Sequence, residues 1–83
     1  MQKEIVYLDV RSPEEFVSGS VKDAINIPLH LLPLRVGELR GKKIIVFCAS
    51  GMRSSMAFVL LQKEGIDVED GCTVSLICSK INS

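Results

Sequence analysis

The apolar residues of this chain fall in short, uninterrupted runs separated by polar punctuation. Ile5-Val6-Tyr7-Leu8-Asp9-Val10 is apolar at nearly every position and contains β-branched members. A run of that kind, without the alternation of a half-exposed strand, predicts a strand buried on both faces, as in a parallel sheet. Ser12-Pro13-Glu14-Glu15-Phe16 follows and predicts a helix start. It has a capping serine, a proline at the first helical position and two carboxylates at the positive end of the dipole. Gly19 is the expected end of that short helix. Ala24-Ile25-Asn26-Ile27 predicts a second short strand, stopped by Pro28. Leu29, Leu31, Leu32, Leu34 and Val36, with Pro33 among them, predict an irregular or broken helix. After a turn at Gly41-Lys42-Lys43, Ile44-Ile45-Val46-Phe47 is the clearest strand in the chain. Met56, Val59, Leu60 and Lys63 recur at helical spacing, which predicts a helix from about Ser54 to Glu64, closed by Gly65. Ile66-Asp67-Val68 reads as a last short strand, and the tail from Cys72 to Ile81 as the place of a final short helix.

Strands alternating with helices over short loops predict an α/β fold: a mainly parallel sheet flanked by helices. In such sheets ligands bind beyond the carboxyl ends of the strands, near helix N-termini. That rule selects the loop that begins at Cys48, before any chemistry is considered.

With 83 residues, a single domain spanning 1–83 is expected. A domain of this size buries only about 60–65% of its unfolded surface, and its stability is on the order of 5 kcal/mol. The apolar fraction of 47% is too high for a disordered chain. With no Trp, the core must be aliphatic. Ten basic and ten acidic side chains cancel, so no bulk field draws in a polyanion, and nucleic acid is excluded as an expected partner. No stretch approaches the roughly 20 apolar residues of a membrane span. Met1-Gln2-Lys3-Glu4 leads straight into a short strand-like run with no leader-type cleavage site. A cytoplasmic monomer without membrane contact is the expectation. Cys48, Cys72 and Cys78 are odd in number and lack CxxC spacing, so neither a disulfide framework nor a metal site is expected.

The chemistry concentrates at Cys48-Ala49-Ser50-Gly51-Met52-Arg53-Ser54. A free thiol is only about 3% thiolate at pH 7. Making the thiolate the majority form takes about 2.7 kcal/mol of differential stabilisation, and a helix dipole supplies roughly 0.3–1 kcal/mol. The loop offers the remainder. Gly51 allows successive N–H groups to turn inward as an anion-binding nest, Ser50 and Ser54 carry hydroxyls, and Arg53 brings a cation. A Cys after an apolar strand is more often a buried structural thiol; the strand–Cys–loop–Gly–Arg–Ser–helix order reverses that expectation. Arg53 at a helix start opposes the dipole, which is reason to expect an anion beside it. The single His30 is a candidate base, although a partly exposed helical histidine is the commoner case. Met52 and Met56 are expected at a pocket edge or in the core, not as metal ligands.

Asp9-Val10-Arg11, Glu15-Phe16, Gly19, Ala24, Asn26-Ile27-Pro28 and Cys48 with Gly51, Arg53 and Ser54 resemble, in order, the rhodanese homology domain. The resemblance implies a small three-layer α/β fold and a sulfurtransferase. Cys48 would accept sulfane sulfur as a persulfide, Ala49, Ser50, Gly51, Met52, Arg53 and Ser54 would cradle it, and Asp9 and Arg11 would brace the site or form an ordinary strand-end ion pair. It implies a thiosulfate-like anion or persulfide as donor, a thiol, cyanide or protein thiol as acceptor, and no cofactor. Cysteine phosphatases separate Cys and Arg by five residues, whereas four lie between Cys48 and Arg53, so phosphate hydrolysis is disfavoured.

The sequence departs from the family in three places. Ser20 stands where the family has His, a leading strand and helix look missing, and Gly71-Cys72 replaces a Gly-Gly pair. If Cys72 lies near the loop, it could resolve a Cys48 persulfide or pair with Cys48 in a reversible disulfide; a small buried thiol is the more ordinary reading. Two further readings of the chain therefore stand beside sulfur transfer: a non-catalytic binding or regulatory module, and a thiol redox protein using Cys48 and Cys72.

Overall fold

A computed structural model describes residues 3–73, with Cys72 described by its backbone alone. Four strands, β1 (Ile5–Asp9), β2 (Ile25–Asn26), β3 (Lys43–Cys48) and β4 (Asp67–Thr73), form one sheet in the order β2-β1-β3-β4. Every pairing is parallel, with Leu8 opposite Val46 and Ile25, and Cys48 opposite Thr73. Helix α1 (Pro13–Ser18) connects β1 to β2. Between β2 and β3 the chain makes a 3₁₀ turn at Leu29–Leu31, the short helix α2 (Leu32–Arg35) and a second 3₁₀ turn at Val36–Leu39. Pro33 and the two flanking turns give the broken helix that the sequence predicts. Helix α3 (Met52–Lys63) connects β3 to β4.

Side chains alternate across the sheet, and the two faces are unequal. On one face Val6, Leu8, Ile44, Val46 and Cys48 meet Leu32, Val36, Leu39, Ala57, Leu61 and Ile66 in the main core. The other face is thin: Phe47 and Val21 are buried there, with Tyr7, Ala24 and Ile45 packed around them. The expectation that β1 is buried on both faces is therefore corrected. Ile5 is 54% exposed and Tyr7 is half-buried, because the second face has little to cover it among the described residues.

Helix α3 begins at Met52, two residues before the expected start. Its buried positions are Ser54, Ala57 and Leu61. Met56 and Val59 are exposed, so the apolar spacing read from them is not the packed stripe. Ser54 and Ala57 are small, and small residues let the helix backbone approach the sheet closely; size rather than hydropathy marks this contact. The last strand is also longer than expected. It runs from Asp67 to Thr73 and takes in Cys72, where the start of a tail helix was expected. The rest of that expected helix lies outside the described residues.

Candidate active site

The site forms where β3 ends and α3 begins. Cys48 is the last residue of β3, and Ala49, Ser50 and Gly51 complete the crossing to Met52. Gly51 takes a left-handed conformation, with φ 92° and ψ −13°, which an L side chain resists. That turn aims the Gly51 N–H at the Cys48 Sγ at 2.9 Å, and the Ser54 N–H reaches the same sulfur at 3.3 Å. The Ser54 Oγ also donates to the Gly51 carbonyl at 3.1 Å and the Ser55 Oγ donates to it at 2.8 Å, which fixes the loop to the first turn of α3.

Cys48 is fully buried. Burial is the largest single influence on its acidity and pushes the thiol up. Hydrogen bonds from the Ser54 hydroxyl and from the N–H groups of Ser54, Gly51 and Ser50 together outweigh it, so the thiol lies below its ordinary value. Backbone amides thus supply most of the cradle. Ser50 acts through its backbone while its side chain stands exposed.

Arg53 has a different partner from the one its place in the loop predicts. Its Nη1 and Nη2 donate to Glu15 Oε1 and Oε2 at 2.8 and 3.0 Å. The anion expected beside this misplaced cation is a side chain of the protein itself. Glu15 also closes the capping box of α1: its Oε1 accepts from the Ser12 N–H at 3.1 Å, and the Ser12 Oγ accepts from the Glu15 N–H at 3.3 Å. Chiefly through Arg53, and then through Ser12, its carboxyl is lowered to about 2. One carboxylate therefore joins the start of α1 to the start of α3.

Asp9 organises the neighbouring strand end. Its buried carboxylate accepts from the Arg11 N–H at 2.9 Å and from the Arg11 guanidinium at 2.8 and 3.0 Å. Arg11 also donates to the Gly19 carbonyl at 2.7 Å. The Ser20 Oγ donates to Asp9 Oδ2 at 2.7 Å, and Asn26 Nδ2 donates to the carbonyls of Asp9 and Arg11 at 3.0 Å each. The network ties β1, the turn after α1 and β2 together beneath the site.

Between these clusters lies a pocket of about 450 Å³ lined by Val10, Arg11, Ser12, Pro28, Leu29, His30, Arg53 and Met56.

A family model described as the rhodanese-like domain matches residues 1–74. The chain belongs to that family. A rhodanese-related protein of Thermoplasma volcanium superposes with a TM-score of 0.79 at 37% identity, over 90% of this chain and 78% of that one. An Escherichia coli rhodanese solved with anions gives 0.79 at 29% identity, over 86% and 88%. A protein of Allochromatium vinosum named sulfurtransferase is 33% identical over 64 residues, covering 76% of this chain and 60% of that protein. A putative sulfurtransferase of Bacillus subtilis, YtwF, is 32% identical over 73 residues, covering 83% of this chain and 71% of its own length.

Within this rhodanese-like domain, Ala49, Ser50, Gly51, Met52 and Ser54 lie in the loop after Cys48 or in the first turn of α3, and Met52 is exposed. Asp9 and Arg11 form the buried strand-end ion pair. Ser20, where the family has His, serves as a donor to that pair. Sequence reasoning missed Glu15 as the partner of Arg53 and Asn26 as a clamp on two carbonyls. Glu15 was legible only as a dipole-compensating carboxylate, and a contact 38 positions away leaves no local trace. His30 is exposed in the 3₁₀ turn and borders the pocket. The Cys72 side chain lies outside the described residues, so the idea that it pairs with Cys48 rests on sequence alone.

Proposed function

We propose that this protein is a sulfurtransferase that carries sulfane sulfur as a persulfide on Cys48. The observation that carries this reading is the convergence of the Gly51 and Ser54 N–H groups on one buried sulfur, at 2.9 and 3.3 Å. A buried thiol left without donors becomes less acidic; this one is more acidic, as a nucleophilic sulfur requires. In the first half-reaction the Cys48 thiolate attacks the outer sulfur of thiosulfate. A Cys48–S–S⁻ bond forms, the donor's S–S bond breaks, and sulfite leaves with the electron pair. In the second half-reaction a thiolate or cyanide attacks the terminal sulfur and the Cys48 thiolate departs, yielding a persulfide or thiocyanate. The inward N–H groups serve both anions, thiolate and persulfide. The relatives named sulfurtransferase support the same class of reaction, although the chain spans 60% of the Allochromatium protein's length.

Intact mass spectrometry after incubation with thiosulfate tests the reading. The expected result is a gain of one sulfur that cyanide removes and that Cys48→Ser abolishes. No gain, together with slow alkylation of Cys48 at neutral pH, would favour a binding module of the same fold. A bridge from Cys48 to Cys72 under mild oxidation would favour redox chemistry.

A further inference from the structure

Two serine hydroxyls at the start of α3 carry one proton each, and the acceptors within their reach outnumber those protons. Among the described residues the Gly51 carbonyl has three donors around it: the Ser55 N–H at 3.1 Å, the Ser54 Oγ at 3.1 Å and the Ser55 Oγ at 2.8 Å. A carbonyl oxygen has two lone pairs, so the N–H takes one and the two hydroxyls compete for the other. Each hydroxyl has a second acceptor. For Ser54 it is the Cys48 sulfur, to which its hydroxyl also donates. For Ser55 it is Asp70 Oδ2, at 3.2 Å.

Asp70 breaks the apolar pattern of its strand. Val68 packs against the main core, and side chains alternate along a strand. Asp70, two residues on and opposite Val46, therefore stands on the face that α3 covers, at its exposed margin. A charged acceptor forms the stronger hydrogen bond, while the Gly51 carbonyl is the nearer acceptor. The Ser55 proton is thus divided between them. When Ser55 donates to Gly51, the carbonyl is filled and the Ser54 proton turns to the sulfur. When Ser55 donates to Asp70, the carbonyl draws the Ser54 proton away from the sulfur.

Resting on the reading of Cys48 as the sulfur acceptor, we propose that Ser55 and Asp70 are positioning residues that set, through the Gly51 carbonyl, whether the Ser54 hydroxyl donates to the Cys48 sulfur. No proton leaves its oxygen; two hydroxyls rotate, and each change of acceptor at Ser55 is answered at Ser54. Ser55 turned toward Gly51 supports the Cys48 thiolate, and Asp70 opposes it. Further charges about Cys48 include Arg53 of α3, held by Glu15 of α1, and the Asp9–Arg11 pair at the end of β1. They are common to every variant below.

The test follows the pH profile of Cys48 alkylation by peptide-resolved mass spectrometry in the reduced full chain, with sulfur loading from thiosulfate measured beside it. Ser54→Ala sets the scale: losing a hydrogen bond to a charged group should raise the thiol midpoint by about one pH unit. Ser55→Ala should raise it by about half a unit, because the Gly51 carbonyl then keeps the Ser54 proton that wild type divides. Ser55→Thr retains a hydroxyl that can bond the carbonyl four residues back and should restore the wild-type midpoint. Asp70→Ala should lower the midpoint by about half a unit, because Ser55 then donates to Gly51 alone. The double variant Ser55→Ala/Asp70→Ala should match Ser55→Ala. Ser55 and Asp70 are both exposed, so these variants are expected to fold, with circular dichroism as the check. A midpoint that Ser55→Ala leaves unchanged or lowers would overturn the proposal. So would an Asp70→Ala effect that persists in the Ser55→Ala background, since a direct electrostatic influence needs no hydroxyl between. If the midpoints move as stated but wild-type Cys48 takes no sulfur, the hydroxyl relay stands and the sulfur-transfer reading falls.

Discussion

Asp9→Asn probes the most deeply buried charge among the described residues. The carboxylate has no exposed surface. Arg11 Nε donates to its Oδ1 and Oδ2 at 3.0 Å each, Arg11 Nη2 donates to Oδ2 at 2.8 Å, and the Ser20 hydroxyl donates to Oδ2 at 2.7 Å. Asparagine keeps the shape but replaces one acceptor with an NH₂ group. Whichever way the amide is turned, a donor faces a donor, and the Arg11 charge is left without its counter-ion. Removing one partner of a buried pair costs about 3–5 kcal/mol. The Arg11 side chain retains 11% exposure, so the lower end, about 3 kcal/mol, is the expected loss. That is more than half of a total near 5 kcal/mol. With a urea m-value of about 1 kcal/mol/M, the unfolding midpoint falls by roughly 3 M, and Tm by about 12–24 °C. Urea titration followed by circular dichroism measures the loss. Arg11→Met in the same background removes the orphaned charge. The double variant should then be more stable than the sum of the single losses by about 1–3 kcal/mol. A loss below 1 kcal/mol for Asp9→Asn, or strict additivity in the cycle, would refute the claim that this ion pair holds the strand end together.

Further outcomes follow from the site. Because the Cys48 thiol is lowered in the folded state, its thiolate contributes stability fully above the unfolded value of about 8.5, and that contribution is lost as pH falls through the folded value. The stability difference between wild type and Cys48→Ser should therefore grow with rising pH across that window, and the alkylation midpoint should lie below 8.5. Glu15 should titrate near 2 by carboxyl NMR, so its pairing with Arg53 is complete above the unfolded carboxyl value near 4.5 and is lost as pH falls through about 2. Arg53→Met should move that midpoint upward, since the Arg53 hydrogen bonds are the largest cause of the shift. Gly51→Ala forces an L side chain into a left-handed position at φ 92°. It should cost about 1–2 kcal/mol in thermal melts and raise the alkylation midpoint of Cys48 by disturbing the N–H at 2.9 Å.

The sequence by itself determined the α/β alternation, the central strand before Cys48 and the identity of the loop. These are encoded locally: a run such as Ile44-Ile45-Val46-Phe47 has no better use than a buried parallel strand, and Gly51 marks the turn that aims amides at the sulfur. The cap of α1 was legible in Ser12 and Pro13 for the same reason. The tertiary structure decided what depends on distant partners. DVEDGCT at 67–73 carries four polar residues among seven and has weak strand character, yet it becomes a seven-residue strand because β3 offers it a ladder, with a register shift between Val46 and Phe47. Likewise Met56 and Val59 look like core by hydropathy, but the small Ser54 and Ala57 take the contact with the sheet. Arg53 was read as a partner for an incoming anion; the fold brings Glu15 to it first, because α1 and α3 both begin at the carboxyl end of a parallel sheet. Local pattern fixes which atoms are chemically active, and only packing decides which charges meet.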